Sequence, residues 1–108
     1  MMHRYIKLSK WDEVLGTRDT GRKARDEIRD ILEANGSVTI SFDGVNVVSS
    51  SFADEAIARL MIDLGSERFR SSVHLIDASP RIKTVVMASI VIRDTMAESQ
   101  SAATPVAR

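Results

Sequence analysis

Residues 38–64 read VTISFDGVNVVSSSFADEAIARLMIDL, and this stretch decides the fold. The run 38–42 is rich in Val, Ile and Phe, as suits a strand near a sheet centre. Asp43-Gly44 makes a turn, and 45–48 resumes the β-rich pattern. Three consecutive serines, Ser49, Ser50 and Ser51, then open an amphipathic segment. Ala53, Ala56, Ile57, Leu60, Met61 and Leu64 recur at three- and four-residue intervals, which predicts a helix from Ser50 or Ser51 to about Leu64. Gly65 stops it.

Outward from this centre the same alternation of periods repeats. Upstream, Ala24, Ile28, Ile31 and Leu32 form the apolar stripe of a helix over 18–34, closed by Asn35-Gly36. Residues 2–8, with Tyr5, Ile6 and Leu8 among polar neighbours, read as a strand. In the link 9–17, Trp11, Val14 and Leu15 are expected to cover one edge of the core. Downstream, 73–76 is a third strand, and Ser79-Pro80 opens a third helix with Ser as cap and Pro in the first turn. Ile82, Val85, Val86 and Ile90 give it a buried face. The order strand, helix, strand, helix, strand, helix implies right-handed crossovers. The expected architecture is a small α/β sandwich with a mixed or largely parallel sheet covered by about three helices. Residues 1–94 make the domain, and the small, polar composition of 95–108 reads as a flexible C-terminal tail.

Composition excludes several classes of function. A chain of 108 residues is one domain, and 44% hydrophobic with 28% charged residues is an ordinary globular balance. There is no Cys, so neither a disulfide framework nor thiolate metal ligands exist. Lys plus Arg and Asp plus Glu both number 15, which argues against a general nucleic-acid binder and against a polybasic membrane anchor. No apolar run approaches the roughly 20 residues of a membrane span. The start MMHRYIKLSKW lacks the apolar stretch of a secretory signal, so a cytoplasmic location is expected.

The serines carry the functional question. Helix N-termini expose unpaired N–H groups and partial positive charge. Ser50 and Ser51 therefore fit as caps, and Ser51 with Asp54 approximates a capping box. Asp54 and Glu55 in the first turn complement the dipole. The same geometry suits a phosphorylation site, since a phosphoryl group beside Asp54 and Glu55 brings like-charge repulsion that can disrupt a docking surface. It also suits small-anion or nucleotide sensing at the Ser50-Ser51 helix start. A serine hydrolase would need a base near Ser50, and His3 and His74 sit in separate strands. Neither histidine has the neighbours of a zinc site. Gly16-Thr17-Arg18-Asp19-Thr20-Gly21-Arg22-Lys23 has the glycine spacing of a P-loop but not its Lys and hydroxyl positions. Arg18, Arg22, Arg25 and Arg29 share one helical face. Asp26 and Glu33 follow Arg22 and Arg29 by four residues, which predicts intrahelical pairs on a solvated face.

The stretch 38–64 resembles the STAS domains, the fold of sulfate transporters and anti-sigma-factor antagonists. It is most similar to a short STAS-like family of unknown function that carries the Ser-Ser-Phe-Ala-Asp-Glu run found here at 50–55. A Thr-Arg-x-x-Gly element, here Thr17, Arg18 and Gly21, is also similar to that family. In the antagonists an Asp-Ser-Ser-Gly motif follows the strand. Its Asp falls on Ser49, its serines on Ser50 and Ser51, and its Gly on Phe52, so two of four positions depart. The resemblance implies a non-enzymatic regulatory or protein-interaction module of a bacterial-type signalling pathway, without a cofactor. It implies phosphorylation at Ser50, with Ser51 as the near alternative. Ser49, Phe52, Asp54, Glu55, Thr17, Arg18 and Gly21 would then bind the partner, an anti-sigma factor or a histidine-kinase-like ATPase. A homodimer stays open.

Overall fold

The computed structural model describes residues 3–34 and 36–103. Three strands, β1 (His3–Lys7), β3 (Ser37–Ser41) and β5 (Val73–Ile76), form one sheet in the order β1-β3-β5. Both of its pairings are parallel, with Ile6 opposite Ile40 and Ile40 opposite Leu75. β3 is therefore the central strand, as its apolar run predicts. A second parallel pair joins β2 (Val14–Leu15) to β4 (Val47–Val48). The expected sandwich and its largely parallel sheet are what the chain forms.

The helices are α1 (Arg18–Glu33), α2 (Ser50–Ala53), α3 (Arg59–Leu64), α4 (Ser66–Ser72) and α5 (Pro80–Ala103), with a π-helical turn, Asp54–Ala58, joining α2 to α3. The helix expected over 50–64 is thus continuous, but its middle is wound wider than the α period assumes. α4 has no apolar stripe, only the buried Phe69, and the sequence reading missed it. β1 ends one residue before Leu8, which begins a 3-10 turn. Met2 and Asn35, placed in the expected strand and helix stop, lie outside the described residues. The stop itself shows in the Gly36 N–H, which donates to the Ile31 carbonyl. α5 continues through 95–103, the segment read as a tail, and 104–108 lie outside the described residues.

Packing follows the predicted stripes. Ala24, Ile28 and Leu32 of α1 are fully buried, as are Val38 and Ile40 of β3 and Ala53, Ala56, Ile57 and Leu60 on the α2–α3 segment. Leu15 and Trp11 join them from the link, whereas Val14 is exposed. The other face of the sheet carries Tyr5, Thr39 and His74 and is open to half-open. Between β3 and β4 the Val45 N–H donates to the Phe42 carbonyl, and Gly44 takes a φ of 83°, a value that a side chain would strain. That turn aims the chain back across Leu15 and delivers the serines to the rim of α1.

Candidate functional site

Ser49 is the cap. Its Oγ accepts the Phe52 N–H at 3.0 Å and donates to the Gly16 carbonyl at 3.0 Å. Its own N–H donates to the Leu15 carbonyl at 2.9 Å. The helix begins at Ser50 as expected, but the capping expected of Ser50 and Ser51 is corrected: the cap is Ser49, and both serines lie in the first turn. No Ser51–Asp54 capping box forms. Among the described residues the hydroxyls of Ser50 and Ser51 make no hydrogen bond. Both line a cleft of about 280 Å³ between α2 and α5, with Arg18, Asp54 and Arg93 among its walls. Ile92 and Met96 of α5 supply its apolar side.

Below the serines runs an ionic network that the sequence reading did not foresee. Arg93 grips Asp54 with two bonds, Nε to Oδ1 at 2.9 Å and Nη2 to Oδ2 at 2.5 Å. Arg18 Nη1 reaches the same carboxylate at 2.7 Å and Glu55 Oε1 at 3.2 Å. Glu55 is 4% exposed and Arg25 8%. Arg25 Nη1 donates to both the Glu55 carbonyl, at 2.8 Å, and Oε2, at 2.7 Å. Arg59, one turn on, approaches Glu55 at 3.3 Å. Two neighbouring acids thereby tie α1 and α5 to the helix between them. Hydrogen bonding from Arg93, together with Arg18, holds the Asp54 carboxyl below its ordinary range. Burial pushes the Glu55 carboxyl up, but the bonds from Arg25 and Arg18 outweigh it and the net shift is downward. Bonding to Asp54 raises both Arg18 and Arg93.

The arginine row of α1 is accordingly corrected. Arg22 and Lys23 pair back to Asp19, Arg29 pairs across to Asp63, and no ion pair links Arg22 to Asp26 or Arg29 to Glu33 among the described residues. Three of the four arginines reach the neighbouring helix, so the row is a tether and Arg25 is no part of a solvated face.

In the Thr-Arg-x-x-Gly element, Thr17 and Gly21 have structural roles. Thr17 caps α1 by accepting the Thr20 N–H at 3.2 Å. A Cβ on Gly21 would stand 2.9 Å from Glu55 Cβ and 3.2 Å from the Phe52 carbonyl oxygen, so only Gly lets the two helices approach. Phe52 is 0% exposed, and its ring lies in the core rather than on a surface. Glu55 and Gly21 are buried as well, leaving Arg18, Ser50, Ser51 and Asp54 as the residues from the sequence that meet at the cleft.

His3 and His74 do come together, with ring centroids 6.3 Å apart across the open sheet face. His3 bonds Ser37 Oγ at 2.6 Å and Thr39 Oγ1 at 2.9 Å. Neither ring lines the serine cleft, so Ser50 has no histidine base. No group of three or more His, Asp or Glu residues among the described residues could hold a metal ion. No helix among them is long and apolar enough to cross a membrane.

A family model described as a STAS-like domain of unknown function matches residues 20–83, more than half of the chain. Neither the curated proteins nor the solved structures give a significant match.

Proposed function

Since the chain belongs to the family of STAS-like domains of unknown function, we propose that it is a regulatory protein-interaction module whose docking surface is the cleft between α2 and α5, switched by phosphorylation of Ser50 or Ser51. One observation supports this most. Ser49 does the capping, so the next two hydroxyls, uncommitted among the described residues, stand at a cleft walled by two arginines and an acid. The antagonist-like motif departs at Ser49 and Phe52 in ways the fold absorbs. Ser replaces Asp as one good cap replaces another, and the Phe52 ring is turned into the core, clear of the serines.

The chemistry of the switch is competition. A phosphoryl group adds about −1.5 to −2 charges and three strong acceptors. Placed on Ser50 or Ser51, it repels Asp54 and competes with it for the guanidinium groups of Arg18 and Arg93. The buried Glu55 would lose its Arg18 contact in that contest but keeps its bonds from Arg25. The cleft surface and the α5 residues beside it then change charge together. An anti-sigma factor or a histidine-kinase-like ATPase is the partner class that the motif suggests.

Partner pull-down from the source cells, paired with thermal denaturation, tests the assignment. Ser50→Asp is expected to release a partner that the parent and Ser50→Ala both retain, with little change in melting temperature. Ser49→Ala is expected to lose about 0.5–2 kcal/mol of stability as a lost cap. If parent, Ser50→Asp and Ser51→Asp all retain the same partners, the switch does not exist.

A further inference from the structure

We propose that α5 is the interface of a homodimer, in which two copies of the helix pack antiparallel about a two-fold axis. This inference stands apart from the serine switch and rests on the outer face of α5. Residues 82–92 carry apolar side chains on every side of the helix, a pattern that normally marks a helix covered all round. The body of the domain covers only one side. Ile82 and Val86 are buried, whereas Met87 and Val91 are 56% and 58% exposed.

The charges beside this face select its occupant. Lys83, Met87, Val91 and Asp94 stand at i, i+4, i+8 and i+11, which places them in one row along the helix, roughly 16 Å long. The row reads cation, apolar, apolar, anion. Neither Lys83 nor Asp94 makes an ion pair among the described residues, whereas Arg93 beside Asp94 pairs with Asp54. A second copy laid antiparallel sets Lys83 of each chain against Asp94 of the other, with Met87 against Val91 between them. A parallel copy would set Lys83 against Lys83 and Asp94 against Asp94. The face is thus self-complementary in one orientation only, as an isologous two-fold contact requires. A contact of this length lies at the small end of specific interfaces, so dimerisation depends on concentration.

Sedimentation velocity on the 108-residue chain over a wide concentration series tests this. The expected result is a monomer at high dilution that shifts to a dimer as concentration rises. Val91→Glu is expected to weaken association about a hundredfold or more, since it places two unpaired carboxylates in the contact, while its melting temperature at high dilution matches the parent. Lys83→Asp alone weakens the dimer severalfold, and Lys83→Asp combined with Asp94→Lys restores it. A chain that stays monomeric throughout overturns the proposal, as does a dimer indifferent to Val91→Glu or one that the double charge exchange fails to restore.

Discussion

Glu55→Gln is expected to destabilise the fold by about 3–5 kcal/mol, because it removes one partner of a buried ion pair and strands the other. Arg25 then keeps its charge in a site that is 8% exposed, where even in the parent its Nε finds no acceptor among the described residues. Chemical denaturation measures the loss directly. The variant should also alter the response to acid. The folded Glu55 carboxyl is held below its unfolded value. Its contribution is therefore present above the unfolded value of roughly 4.3 and is lost as pH falls through the folded one. Between about pH 5 and pH 2 the parent should lose stability more steeply than Glu55→Gln. Adding Arg25→Gln should cost less in the variant than in the parent, since the two groups are coupled. A loss below about 1 kcal/mol with an unchanged acid limb would mean that the network is ornamental to the fold.

Phe52→Ala should cost about 3–5 kcal/mol, the sum of lost transfer free energy and the cavity left behind. The ring is fully buried, in the turn where α1 comes close enough for Gly21 to be obligatory. That site has little room to collapse, since α1 is held by Arg18 and Arg25 on its flank. The denaturation midpoint should fall while the secondary structure survives. A midpoint close to that of the parent would place the ring at the surface, where it could anchor a partner.

Much of this was legible in the residues because periodicity reports burial. The central strand declared itself through Val38 and Ile40, although it ends at Ser41, one residue before the buried Phe42, and α1 declared itself through Ala24, Ile28 and Leu32. What escaped depends on contacts far apart in the chain. Arg93 and Asp54 are 39 residues apart, and no local spacing relates them. Arg25 looked like one member of a solvated row, and nothing in its helix shows that Glu55 waits across the interface. The two histidines met for the same reason, through strand register rather than sequence distance. The cap was misplaced by one residue because three adjacent serines are equivalent to any capping rule. Only the Gly16 carbonyl and the Phe52 N–H, both satisfied by Ser49, distinguish them. α4 was missed because a seven-residue helix with one buried side chain carries no period to read.

The proposed switch rests on a division of labour among those serines. Ser49 has its hydroxyl committed at both ends, to the Gly16 carbonyl and the Phe52 N–H. Ser50 and Ser51 line the cleft, and among the described residues their hydroxyls make no hydrogen bond. Site-resolved mass spectrometry of the chain isolated from its own cells, over a range of growth conditions, measures this most directly. A phosphoryl group is expected on Ser50 or Ser51 and none on Ser49. Phosphate on Ser49, or on none of the three under any condition, would contradict it.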